Sequence, residues 1–265
     1  MSTFLYNYIE SLEDSWREIS ILYEEANFHF EKTPDIYSAL CRSISILIVA
    51  HLEGFLKELS KAIVKNLSIV SFSKLPKIIK RHHCSLFLGP DDKSKNYNNR
   101  SEALIKNLEQ YQDYKISIDA FLHGNNNPKC SIIEKYAQSF GCYNVFMYLY
   151  GSSLEQYVFS CSNNFTLERI HRVLRWRLKK GTKNFPYDIE YNFLGISKKK
   201  SKEKSFWEDF IEKINSNRHR IVHGNDFSNH TNLNELLEDI WKTRIFQLAF
   251  IFLICQSIKI EKIDQ

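Results

Sequence analysis

SFWEDFIEKINSNRHRIVHG, residues 205–224, is the stretch that decides the fold. Ser205 with Glu208 three residues later forms a capping box, and a glycine closes the stretch, so we predict one helix here. Its apolar residues recur at helical spacing and predict a buried face made of Trp207, Phe210, Ile211, Ile214 and Ile221. At about 100° per residue, Arg218 falls in the centre of that face. Its guanidinium therefore needs an ion pair, a route to solvent, a partner surface or an anion.

Helical patterns of the same kind flank this segment. Residues 2–32 alternate apolar residues with acids at helical spacing, and Thr33-Pro34-Asp35 predicts an N-cap hydroxyl that restarts a helix to about residue 67. The middle of that helix, residues 44–52, is apolar on nearly all sides and belongs inside a bundle. Asn232 with Glu235 opens a last helix to about residue 258. With only 8 glycines and 5 prolines, we predict an all-α fold, a helical bundle with additional helices and long loops.

The middle of the chain has weaker patterns. We predict helices at about residues 101–115, 130–140, 153–161 and 166–180, the last closed by Gly181, with helical or irregular structure at residues 72–88. Polar, turn-rich stretches predict loops at residues 89–100 and 124–128, and a surface excursion at residues 182–200. We expect a single domain of residues 1–265, with core helices at about 1–67 and 205–258 and a helical insert with a basic segment at about 68–204.

Composition excludes several classes of protein. The six cysteines form no CxxC pair and no zinc spacing, so we expect reduced thiols, several of them buried. The N-terminal stretch lacks a signal layout, and the longest apolar stretch, residues 245–255, is too short to span a bilayer. We therefore expect a soluble, cytoplasmic protein without a membrane partner. His82-His83-Cys84 could suggest a metal site, but we interpret it as a surface turn.

The positive charge is concentrated in one segment. Residues 165–205 hold 12 lysines and arginines against 4 acids, although the whole chain carries only +5. A basic helix with an indole among its cations can hold an RNA backbone while the indole stacks on a base. We predict RNA contact by Arg169, Arg172, Arg175, Trp176, Lys179 and Lys180. The alternative is a solvated helix face with Ile170, Val173, Leu174 and Leu178 buried beneath it.

Two stretches resemble a known family. Arg218, four residues, then His223 and Gly224 resembles the arginine-to-histidine signature of HEPN nucleases, although His219 stands where asparagine is typical and Asn217 lies one position earlier. Upstream, residues 42–44 and His51-Leu52-Glu53-Gly54-Phe55-Leu56-Lys57 resemble the inner helix of the RiboL-PSP/MAE-type branch of HEPN proteins. The resemblance covers the order of helices over most of the chain and is specific only in these two stretches.

The resemblance implies a metal-independent endoribonuclease without a cofactor, in which two protomers join their motifs across a two-fold axis. His223 would act as general base or acid, and Arg218 would bind the phosphate while the RNA 2′-hydroxyl attacks it. Asn217, His219 and Glu53 would support the site. Arg218 and His223 are about 140° apart around a helix, which agrees with a site shared between protomers. Related nucleases also suggest a defence or toxin–antitoxin-like role and an inhibitory or activating protein partner.

Four alternatives compete with that interpretation. His219 and His223 have metal-ligand spacing, but the glutamate of zinc hydrolases is missing and Arg220 opposes a cation, so we predict no metal. Glu53 and Lys57 have the spacing of an ordinary ion pair, which we prefer for Glu53. Toxins silenced by a nucleotidyltransferase carry a tyrosine two residues after the histidine, where this chain has Asn225. The remaining alternative is a non-catalytic HEPN-like module that binds RNA or a partner.

Overall fold

A computed structural model describes residues 2–89, 95–124, 127–161, 163–189, 194–195, 203–224 and 232–258. These residues form α-helices and two 3₁₀ turns, Phe72–Lys74 and Ile118–Phe121, without a strand among them. The helices are α1 (Phe4–His29), α2 (Pro34–Leu67), α3 (Lys77–Leu88), α4 (Lys95–Leu108), α5 (Cys130–Ser139), α6 (Val145–Leu149), α7 (Ser153–Ser160), α8 (Asn164–Thr182), α9 (Phe206–Val222) and α10 (Leu233–Ser257). The predicted all-α fold is confirmed.

Helix α2 is central to the bundle. It packs against α1, α9 and α10, and α8 packs in turn on α10 and α1. Ile44, Ile48 and Leu52 in its middle are at most 1% exposed, as the apolar stretch predicts. Length and composition alone would also allow α2 to cross a membrane. Its packing against three other helices accounts for the same apolar residues as a protein core.

The residues that begin the helices mostly act as predicted. Ser205 and Glu208 form both hydrogen bonds of the capping box at α9. The side-chain oxygen of Asn232 accepts a hydrogen bond from the Glu235 amide at the start of α10. Thr33 precedes α2, but the predicted hydroxyl cap is wrong because its side chain contacts His29 instead of the first turn. Pro34 alone provides the helical start there.

Three boundaries differ from the prediction. The helix predicted at residues 101–115 ends at Leu108. Residues 95–100 were assigned to a loop, yet α4 begins at Lys95, because Tyr97 is buried and anchors an otherwise polar turn to the bundle. Gly181 was assigned as the end of α8, yet the helix continues to Thr182. A Cβ at Gly181 would lie 2.6 Å from the carbonyl oxygen of Asp188, so this glycine permits the following chain to pack closely.

The described part of residues 182–200 is more than a surface excursion. Leu194 is only 1% exposed, and its carbonyl accepts a hydrogen bond from the Leu154 amide at 3.3 Å. The buried Asn66 side chain donates to the Tyr187 hydroxyl at 2.7 Å. Side chains from a segment without helical periodicity thus still pack into the core. The prediction of a surface segment is wrong for these positions.

The cysteines and the His82-His83-Cys84 stretch lie inside the helical fold. Cys41, Cys84, Cys142 and Cys255 are buried free thiols, as predicted. His82 and His83 lie on α3, where His83 is fully buried and binds the Tyr114 hydroxyl at 2.8 Å. The interpretation as a surface turn is therefore wrong. The periodicity that would have revealed α3 is obscured by four consecutive polar residues, Lys80-Arg81-His82-His83.

Candidate active site

The N-terminal half of α9 fixes the helix against the bundle. Trp207 is fully buried, and its ring packs against Phe159, Phe210 and Phe246 with centroids 4.9 Å, 6.3 Å and 5.6 Å away. Lys213 adds an ion pair to Asp239 of α10 at 3.3 Å. Because this half is held on several sides, the last two turns of α9 have a defined position at the surface of the bundle.

Arg218 lies half-buried on the last turns of α9. One guanidinium nitrogen, Nη1, donates to the side-chain oxygen of Asn127, and the buried Nε makes no hydrogen bond within the described part of the chain. No carboxylate among the described residues forms an ion pair with this guanidinium. The buried face predicted around Arg218 is present at Ile214 but is only partly buried at Ile221. Within the described residues, the positive charge of Arg218 at the edge of the core thus has no carboxylate partner.

His219 and His223 form an exposed histidine pair one turn apart. Their ring centroids are 4.2 Å apart, and both side chains are exposed to solvent. His223 is the C-cap of α9, and its amide donates to the carbonyl of His219 at 3.1 Å. The unusual His219 thus contacts His223 directly. A substrate can reach both imidazoles from solvent.

Arg218 and His223 do not touch within one chain. Neither residue has a hydrogen bond or a ring contact with the other among the described contacts, and the helix directs them about 140° apart. A phosphate held by Arg218 would therefore lie away from the His223 of the same chain. A second chain can supply the missing partner if two copies approach through this end of α9.

The predicted supporting residues have different outcomes. Asn217 is half-buried, and its side-chain oxygen accepts a hydrogen bond from Arg220 at 3.4 Å. Glu53 does not reach the site, since its carboxylate pairs with Lys57 at 2.8 Å. His51, from the same stretch of α2, packs on Trp16 of α1. The structure thus contains the ion pair that the Glu53–Lys57 spacing predicts. Of the predicted supporting residues, those near Arg218 belong to α9.

Asn127 and Pro128 are neighbours of the site that sequence reasoning missed. Asn127 accepts from Arg218 across 91 positions of sequence, and the Pro128 carbonyl accepts from the Asn215 side chain at 3.2 Å. Both belong to a stretch predicted only as a loop. No local pattern could have identified them, because the contacts depend on how α5 packs against α9.

Helix α8 divides its cations between two faces. Arg175 lies 3.6 Å from Glu10 and from Glu13 of α1, and Lys179 pairs with Glu10. The hydrogen bond from Lys179 lowers the pKa of Glu10. Both cations are therefore engaged by α1, and the prediction that they contact RNA loses its support.

The other face of α8 carries an exposed aromatic and basic groove. Phe165, Arg169, Arg172, Val173 and Trp176 line a groove of about 590 Å³, in which Trp176 is 61% exposed. Lys180 extends this face, 5.9 Å from the centre of the Trp176 ring. The alternative of a solvated helix face puts Val173 beneath the cations, but Val173 is exposed, while Leu174 and Leu178 are buried. We call these six residues, Phe165, Arg169, Arg172, Val173, Trp176 and Lys180, the α8 groove.

Comparison with known proteins gives one match. The model of the RiboL-PSP-HEPN family matches residues 10–251. No curated protein and no solved structure matches the chain. The match includes both α2 and α9, so it covers the two stretches that carry the resemblance. The family is consistent with the helical architecture and indicates a nuclease-type, RNA-related function.

Proposed function

The chain belongs to the RiboL-PSP-HEPN family, and on that premise we propose that it is a metal-independent endoribonuclease whose site is built on Arg218 and His223. The observation that carries the proposal is the charge of Arg218, which no described carboxylate neutralises. A planar guanidinium in this state suits a phosphodiester, which offers two oxygens to its fork. The exposed His223 supplies an imidazole that can accept or donate a proton.

The proposed reaction is an internal transesterification. His223 removes the proton from the ribose 2′-hydroxyl, whose oxygen forms a bond to phosphorus while the bond to the 5′-oxygen breaks. An imidazolium, from His223 of the same or the second chain, protonates the leaving oxygen. Arg218 stabilises the extra negative charge in the transition state. The products are a 2′,3′-cyclic phosphate and a 5′-hydroxyl.

The test is incubation of total RNA with the full chain in EDTA. Native protein is compared with Arg218→Ala and His223→Ala by gel electrophoresis, with chemical mapping of the new ends. Cleavage that persists in EDTA and is lost in both variants supports the proposal. Cleavage of DNA, which has no 2′-hydroxyl, or a strict requirement for magnesium would contradict it.

We propose that two chains form the site together, and mixing two inactive variants tests this. Arg218→Ala and His223→Ala chains, mixed and allowed to exchange, should recover cleavage at about a quarter of the native rate. Half of the dimers would then be mixed, and half of the Arg–His pairs in each would be intact. Recovery is measured on a fluorescent RNA, with each variant alone as control. Activity that stays at the level of the single variants contradicts a site shared in this way.

We propose that RNA flanking the cleaved bond lies in the α8 groove. Trp176→Ala should weaken RNA binding about 5- to 150-fold, since stacking on an aromatic ring contributes about 1–3 kcal/mol per base. Arg169→Ala should reduce the slope of log affinity against log salt by about one unit. Fluorescence anisotropy in a His223→Ala background measures both, with Arg100→Ala, an exposed arginine of α4, as control. If Arg100→Ala changed RNA affinity as much as the groove variants do, the α8 groove would not be an RNA-binding surface.

A non-catalytic module is the second candidate function. Its support is His219, whose ring covers part of the His223 ring at 4.2 Å where the usual motif has asparagine. Under this alternative, His223→Ala would reduce RNA affinity and no preparation would show turnover. Single-turnover kinetics with an RNA-binding assay on the same samples separate the two candidates.

The biological setting follows from the proposed activity. An uncontrolled ribonuclease damages its own cell, so we propose a cytoplasmic role in defence or in a toxin–antitoxin-like system. An inhibitory or activating protein partner would then control it. Asn225, which argues against the tyrosine-modified toxins, lies outside the described residues. Co-expression that relieves growth arrest, with His223→Ala as the harmless control, would identify an inhibitory partner.

A further inference from the structure

A second concave site lies away from α9, between α3, α4 and α5. This cleft has a volume of about 720 Å³, which is within the usual range of small-molecule sites. Three cations line it: Lys77, Arg81 and Lys135. No carboxylate is among the described residues that line it. The ammonium group of Lys77 forms an ion pair with Glu102 at 2.8 Å. Lys135 forms no ion pair with a described residue.

Two neutral histidines line the same cleft. The Nε2 of His82 lies 2.8 Å from the carbonyl of Ala120, and a carbonyl can only accept, so Nε2 carries the proton. Burial lowers the pKa of His82, and in its neutral ring the Nδ1 lone pair is an acceptor. Burial, with smaller contributions from His82 and Lys135, lowers the pKa of His123 to about 4, so that ring is also neutral near pH 7. The two ring centroids are 6.1 Å apart.

The cleft therefore combines three cations with the neutral ring of His82 and the aromatic ring of Tyr143. Phosphate groups are recognised by clustered lysine and arginine. Ribose hydroxyls and base amino groups are donors that a neutral imidazole can bind. Tyr143, which is 49% exposed at the rim, offers a ring on which a base can stack. We propose that this cleft binds a nucleoside phosphate of mononucleotide size.

A residue of the cleft and a residue that contacts Arg218 lie close together in the sequence. His123 lines the cleft, and four residues later Asn127 contacts Arg218, followed by Pro128, which holds Asn215. The cleft and the hydrogen-bond partner of Arg218 are thus four residues apart in the chain, at His123 and Asn127. We infer that the nucleotide regulates cleavage, a step that rests on the proposed nuclease function.

Isothermal titration calorimetry on the full chain, in EDTA, tests the binding site. ATP is the probe, with AMP and inorganic pyrophosphate as partial ligands. ATP should bind more tightly than either fragment, and Lys135→Glu should weaken it at least 10-fold. Lys115→Glu, which makes the same charge change at an exposed lysine that does not line the cleft, should leave the affinity within about 2-fold. Arg81→Gln, checked for folding by circular dichroism, provides a second variant.

Three results would overturn the binding site. They are the absence of a binding heat at millimolar ATP, equal weakening by Lys135→Glu and Lys115→Glu, and pyrophosphate binding as tightly as ATP. A phosphorylated RNA tetranucleotide that displaces ATP and binds more tightly would instead assign the cleft to the RNA path, which also contradicts the proposal.

Cleavage kinetics test the regulatory step separately. Saturating ATP should change the RNA cleavage rate at least about 5-fold in the native chain and not in Lys135→Glu. An unchanged rate at saturating ATP overturns regulation and leaves the binding site standing. If RNA is not cleaved with or without ATP, the proposed nuclease function fails, and the calorimetry still decides whether the cleft binds nucleotides.

Discussion

Replacement of His223 by alanine is expected to lower the RNA cleavage rate about 10²- to 10⁴-fold, the usual contribution of a positioned general acid or base. RNA affinity should change little, because His223 lies at the C-cap of α9 and the described contact of its exposed ring is with His219 of the same helix. The stability of the fold should be unchanged for the same reason. Single-turnover cleavage of a fluorescent RNA in EDTA measures the rate, and anisotropy with a 2′-deoxy analogue measures affinity.

Arg218→Ala should lower the same rate about 10²- to 10³-fold, through loss of the cation that stabilises the transition state. Arg218→Lys should recover only part of the rate, because a lysine keeps the charge but not the planar fork. Arg100→Ala serves as the matched control, since Arg100 is exposed on α4 and remote in sequence. If Arg218→Ala cleaved RNA at the native rate, the guanidinium would have no part in the reaction.

Local signals predicted the two helices that frame the site. The capping box at Ser205 and the side chain of Asn232 are short-range contacts, so they can be read within four residues of sequence. The helical turn at residues 95–100 could not be read in this way. Only Tyr97 of that turn is buried, and its helical state depends on packing against α3.

The site was predictable only where it lies on one element. Arg218 and His219 are neighbours near the end of α9 and His223 is its C-cap, so a motif can identify them together. Asn127 could not be found, since it meets Arg218 from a distant loop. A count of charges along the sequence likewise cannot distinguish one cation of α8 from another. It could not show that Glu10 and Glu13 of α1 face Arg175 and Lys179, because this pairing depends on how α1 packs on α8.

The packing of Trp207 determines where α9, and with it the site, lies on the bundle. This indole is fully buried, and it touches aromatic rings of α7 and α10 as well as Phe210 of its own helix. Its Nε1 is buried without a hydrogen-bond partner among the described residues. Its contribution is therefore apolar contact area, and truncation would leave a cavity between three helices.

Trp207→Ala is expected to lower the free energy of unfolding by about 3–5 kcal/mol, the usual cost of removing a buried aromatic ring. At about 2–4 °C per kcal/mol for a chain of this size, the melting temperature should fall by roughly 6–20 °C. Trp207→Phe should cost less, since it keeps a ring and removes the unpaired N–H. Trp176→Ala is the matched control, because that indole is 61% exposed and its loss should change stability by no more than about 0.5 kcal/mol. Calorimetry or circular dichroism gives the melting temperatures, and equal shifts for Trp207→Ala and Trp176→Ala would show that α9 is not held in place by Trp207.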